Sequence, residues 1–122
     1  MRLMGILAAA GLLLSSSAAM AAMNSEVFYQ KAVKLEKKGM AAMFSKDLKP
    51  LMSEMKVAGK AVKAENEAAK KRGKPIYCPP KKSSMNSKQL IAEFRALGRA
   101  KRRSMNVRQA FRTILIKKYP CR

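Results

Sequence analysis

The chain has no histidine, only seven acidic residues against 27 lysines and arginines, two cysteines, and six glycines that stand apart from one another. Each shortage removes a class of chemistry. Without histidine the usual near-neutral acid or base is missing, and with it the Ser-His and Cys-His nucleophile pairs. The few carboxylates are scattered; Glu65 and Glu67, two apart, point to different sides of a helix. Isolated glycines make no phosphate-cradling loop. Two thiols with no imidazole fall short of the four soft ligands of a zinc site, and no Cys-x-x-Cys motif is present. No catalysis, cofactor or metal centre is expected. Aromatic residues make up 6% of the chain, and Tyr77 and Tyr119 are the evident platforms for a nucleic-acid base.

Long apolar runs are lacking too. The run at 3–14 is too short to span a bilayer, follows Met1 and Arg2, and leads into the small-residue tail 15–22. That order is a secretory leader, and Ala19-Met20-Ala21 permits cleavage after Ala21 or one residue later. No cysteine follows the run, so it is not a lipoprotein leader. The expected organisation is a signal peptide at 1–22 and one domain at 23–122, exported to the periplasm or beyond. About 100 residues remain, enough for one small core and no separate catalytic module.

In an exported chain an even pair of cysteines reads most simply as one disulfide, here Cys78 to Cys121. The bridge would tie the last residues to the middle of the chain.

What is abundant is positive charge. The whole chain carries +20, and loss of Arg2 with the leader leaves +19. Self-repulsion on that scale costs the folded state stability and makes acidic surfaces attractive. Residues 23–69 hold nine lysines against six acids, whereas 70–122 hold seventeen lysines or arginines against Glu93 alone.

Local signals are helical throughout, with few β-branched runs and no strand alternation. The pattern predicts an all-α fold, a small bundle of about four helices stapled by one disulfide. The first helix is placed at 26–44, capped by Asn24 or Ser25 and interrupted or bent near Gly39, with Phe28, Ala32 and Leu35 inward. Lys49-Pro50 opens a second that runs to Arg72, with Gly73 as C-cap and Met52, Met55, Gly59, Val62, Asn66 and Ala69 on one face. Asn66 in that stripe needs hydrogen-bond partners, and pinning the following proline-rich loop, 73–80, would supply them. Ser87 caps a third helix to about Arg99, burying Leu90, Ile91, Phe94 and Leu97. Ser104 caps a fourth to Lys118, burying Val107, Ala110, Phe111, Ile114 and Leu115. Opposite these apolar faces, Lys88, Arg95, Arg99, Arg102 (if the third helix persists), Arg108 and Arg112 form a candidate partner-binding basic face.

Arg72-Gly73, Tyr77-Cys78-Pro79-Pro80 and the terminal Tyr119-Pro120-Cys121 on an exported helical chain resemble the Rap/Tai family of immunity proteins, over residues 27–121. Members are periplasmic, mostly helical and disulfide-stapled, and the best understood bind and block peptidoglycan-cleaving amidase effectors delivered by type VI secretion. The resemblance implies the same for this chain, with Cys78 and Cys121 as the bridge and Tyr77, Pro79 and Pro80 as the loop around it. It transfers no inhibitory contact. A face of Arg and Lys points to an unusually acidic protein partner or toxin effector.

The rival reading is a polyanion-binding envelope protein, in which Lys70, Lys71, Arg72, Lys74, Lys81, Lys82 and the basic set at 88–112 meet phosphates. Export makes lipopolysaccharide and anionic lipid the available targets and nucleic acid the less expected one, although Lys101-Arg102-Arg103 would suit it in a cytosolic protein. A membrane-active peptide is a third class, from the basic amphipathic fourth helix, but its apolar face is what a domain this small needs for its core.

Overall fold

A computed structural model describes residues 22–122 of the chain; the leader expected at 1–22 lies, but for Ala22, outside the described residues. The elements are α1 (Ser25–Lys38), a 3-10 helix (Gly39–Phe44), α2 (Leu48–Lys71), α3 (Ser87–Leu97), α4 (Arg99–Ser104) and α5 (Val107–Lys118). No strand forms among the described residues. The fold is all-α, and one disulfide, Cys78–Cys121, staples it with its Cα atoms 5.0 Å apart.

The helix starts are set by asparagines. Asn86 accepts from the Gln89 amide at 2.8 Å while the Gln89 side chain accepts from the Asn86 amide, and Asn106 and Gln109 repeat this reciprocal cap on α5. Ser87 and Ser104, expected as caps, sit one residue inside α3 and at the end of α4. Asn24 caps α1 as expected, accepting from the Glu26 and Val27 amides. Two helix starts are also tied to each other: the Ser25 amide donates to the Met105 carbonyl at 2.9 Å and the Val107 amide to the Met23 carbonyl at 2.8 Å.

Two glycines break the helices, Gly39 where an interruption or bend was expected and Gly98 where none was. Gly39 (φ 56°) ends α1, and the chain continues as the 3-10 helix. Gly98 (φ 85°) ends α3 at Leu97, and the backbone restarts as the short α4, giving five α-helices among the described residues where about four were expected. A side chain at either position would face the left-handed penalty that glycine avoids.

The core joins Phe28, Ala32 and Leu35 of α1 to Leu51 and Ala58 of α2, Ile91 and Phe94 of α3, and Val107, Ala110 and Ile114 of α5. Phe28 and Phe94 meet with ring centroids 5.1 Å apart and planes tilted by 40°. A smaller cluster of Val62, Tyr77 and Leu115 lies under the loop after α2. The buried stripe of α2 is Leu51, Ala58, Val62, Asn66 and Ala69; Met52, expected inward, is 63% exposed, because the contact with α1 and α5 turns the stripe one residue away from it.

Candidate partner-binding surface

The six residues expected to form one basic face do not share a role. Arg102 is a correction: it is 7% exposed and belongs to the core. Extrapolating the α3 stripe placed it outward, but the break at Gly98 rotates α4 and turns Arg102 toward the start of α1. There its Nε donates to Glu26 at 2.5 Å, its Nη1 donates to the Phe94 and Arg95 carbonyls at 2.9 and 3.1 Å, and its guanidinium lies 4.0 Å from the Tyr29 ring centroid. Two of the last carbonyls of α3 are thereby capped by a cation, that of Arg95 together with the Gly98 amide, which donates to it at 3.2 Å. Glu26 is also buried. Burial alone would raise its carboxyl pKa, but hydrogen bonds from Arg102 and Gln30 and the charges of Arg102 and Arg99 outweigh it and hold the value below the ordinary one.

The other five are exposed. Arg95 donates through Nε to the Tyr29 hydroxyl at 2.9 Å on α1, whereas Arg112 pairs with Glu65 of α2 at 3.2 Å. Arg99 stands 4.0 Å from Glu26. Lys88 lines an apolar hollow between α1, α2 and α3, and Arg108 lies free on α5 among the described ion pairs. Arg95 and Arg99 therefore lean toward α1 while Arg112 leans toward α2, and the set is not one uninterrupted patch.

The loop around the bridge is built more firmly. Asn66 Oδ1 accepts from the Ile76 and Tyr77 amides at 2.8 and 3.1 Å, and its Nδ2 donates to the Tyr77 carbonyl at 3.0 Å. The Cys78 amide donates to the Tyr119 carbonyl at 2.8 Å beside the disulfide. An asparagine on α2 and a bridge to the C-terminus thus hold the loop from both sides. Tyr77 is buried, while Pro79 and Pro80 are exposed. Burial first, and then the charges of Glu67 and Glu65, push the Tyr77 phenol pKa up, so it stays neutral.

Between this loop and α2 lies an open groove of about 610 Å³. Leu90, Phe111, Leu115 and Tyr119 give it an apolar base; Lys56 and Lys63 rise from α2, and Lys82 from the loop opposite. Lys82 has φ 64°, in a turn closed by the Ser83 amide donating to the Pro80 carbonyl at 3.2 Å. Glu67 is the one carboxylate in the lining. Of the loop residues singled out from sequence, Tyr77 and Pro79 reach the groove and Pro80 does not; Asn66, Lys82 and Tyr119, singled out for other roles, also line it, but Lys56, Lys63 and Lys82 were not grouped together. Lys49, Lys56, Lys60 and Lys63 recur at helical spacing along one side of α2, which is the signal that could have found that wall. Three ammonium groups around an apolar base can hold a carboxylate-bearing segment with an apolar side chain in its middle. No protein-family model, no curated protein and no solved structure matches the chain.

Proposed function

We propose that this chain is an exported, non-catalytic binding protein of the immunity type, which seats an acidic segment of a partner protein in the groove beside the Cys78–Cys121 loop. The observation that carries the reading is the groove: an apolar base, a lysine wall from α2 and Lys82 opposite, on a loop fastened by Asn66 and the disulfide. A fastened loop loses little freedom when it binds, so more of the contact energy appears as affinity. The Tyr77-Cys78-Pro79-Pro80 and Tyr119-Pro120-Cys121 motifs supply the partner class, a peptidoglycan amidase effector of type VI secretion. The periplasm is the proposed compartment, because an exported protein there keeps such a bridge oxidised.

The test is a pull-down from the producing cell's envelope and secreted proteins with the oxidised protein as bait, at low and then physiological salt. Recovery of one acidic hydrolase, retained at physiological salt, inhibited by the bait and lost with Lys63→Glu/Lys82→Glu, is the expected result. Recovery of salt-labile polyanions alone would overturn it and favour phosphate binding.

A further inference from the structure

The 3-10 helix Gly39–Phe44 is apolar along its whole length and buries none of its residues. Phe44 is 92% exposed, Met40 82% and Met43 69%, and Met52 at the start of α2 is 63% exposed. Scattered apolar residues on a surface are ordinary, but four large ones within one turn and its neighbour mark a contact surface. These side chains project. The adjoining hollow of about 530 Å³ has Met52 in its lining but none of Met40, Met43 and Phe44. The knob is flanked by exposed lysines: Lys37 and Lys38 before it, Lys46 and Lys49 after it, and Lys56 on the same side of α2 as Met52. Of the acids in that stretch, Asp47 lies 4.0 Å from Lys31 and Glu54 accepts from the Met23 amide at 2.7 Å, which leaves Glu36.

We propose that this knob is an interfacial anchor for an anionic phospholipid bilayer. Met40, Met43, Phe44 and Met52 enter the boundary between headgroups and acyl chains, and the flanking lysines meet lipid phosphates. Projecting apolar side chains ringed by cations suit a soft anionic surface. A second copy of the chain is a poor occupant, because two molecules of charge +20 repel. No described helix is long and apolar enough to cross a membrane, so the contact lies on the surface. The knob itself lies outside the groove, with which it shares Lys56 at its border, and the inference does not depend on the protein partner proposed there.

Co-sedimentation of the full chain with vesicles of phosphatidylglycerol in phosphatidylethanolamine, against vesicles of phosphatidylcholine, reads the inference. The anionic vesicles should carry the protein down and the neutral ones should not. Met43→Ser/Phe44→Ser should lower the partition coefficient at least about tenfold, and Lys46→Gln and Lys49→Gln about fivefold each. Arg108→Gln on α5 should do less than any of them. Residues 1–22 are present in every variant, so their own contribution cancels between variants, and repeating the anionic-against-neutral comparison with residues 23–122, the domain the structure describes, removes it there too. The substituted side chains are exposed, so the helical circular dichroism should be unchanged; should the double variant unfold, Met40→Ser repeats the test. Absence of binding to anionic vesicles, binding undiminished by the serine variants, or a soluble acidic protein found seated on Phe44 in place of lipid would each overturn it.

Discussion

Arg102 and Glu26, 76 residues apart in sequence, form a buried ion pair in which the arginine Nε meets the carboxylate at 2.5 Å. The same guanidinium closes the C-terminal carbonyls of α3, so one side chain joins α1, α3 and α4. Arg102→Ala leaves Glu26 buried without its main partner and is expected to cost about 3–5 kcal/mol, a large part of a small domain's stability. Arg102→Lys should recover only part of it, because one ammonium cannot serve the carboxylate and two carbonyls with a planar fork. Arg108→Ala, on the exposed face of α5, should stay within about 0.5 kcal/mol of the parent. Urea unfolding of the oxidised protein separates them. A stable Arg102→Ala variant that had lost only partner binding would return Arg102 to the surface.

The same pair sets an acid limit. The Glu26 carboxyl is held below its ordinary value of 4.5 in the fold and regains that value on unfolding. Its contribution is therefore complete above the unfolded pKa and disappears as pH falls through the folded one. The melting temperature should be insensitive to this group from neutral pH down to about 5 and drop below that range. Glu26→Gln should melt lower at neutral pH and show a shallower acid slope. Equal acid slopes in the two proteins would place the acid sensitivity elsewhere.

How much of this was legible in the sequence varies with the distance over which the cause acts. Asn66 was readable as a loop pin, because an amide inside an apolar stripe must find partners and a proline-rich loop follows within the same stretch. The Cys78–Cys121 bridge was readable because two cysteines allow one pairing. The spacing Asn-x-x-Gln at 86–89 and 106–109 was a readable start signal, passed over in favour of the serines one position after and two before. Arg102 was not readable in its true role. Projecting a helical stripe past Gly98 assumed an axis that the chain abandons there, and the partner lies at the far end of the domain. The lysine wall of the groove was hidden by arithmetic: residues 23–69 carry only nine lysines against six acids in total, while on α2 Lys56 and Lys63 share the groove with Glu67 alone and Glu65 is drawn to Arg112.

Asn66→Ala tests whether the loop is held by that amide. Two backbone N–H groups and one carbonyl would lose their partner, and each buried group left unmet costs about 1–3 kcal/mol. Local opening and water entry will absorb part of this. The expected signature is loss of hydrogen-exchange protection at the Ile76 and Tyr77 amides, with helices α3 and α5 still protected. Asn66→Asp should be worse than its shape suggests, since it keeps the acceptor but loses the donor to the Tyr77 carbonyl and buries a charge. Unchanged exchange at both amides would show that the disulfide alone holds the loop.

The disulfide closes a 43-residue separation, and its removal by Cys78→Ser/Cys121→Ser should destabilise the domain by about 4 kcal/mol on the chain-entropy account. The loss is expected to be uneven, because the bridge and Asn66 hold opposite ends of one short segment. The last residues after α5 have one described backbone tie to the loop, from the Cys78 amide to the Tyr119 carbonyl, so they should fray first. Tyr119, which lines the groove, would then leave it, whereas Ile76 and Tyr77 stay pinned to α2. Partner affinity should therefore fall in the reduced protein even at temperatures where circular dichroism reports full helix. Lys63→Glu in the reduced background should add less than in the oxidised one, since the groove it borders has lost part of its apolar base. Full affinity in the reduced, folded protein would show that the groove does not need its stapled end.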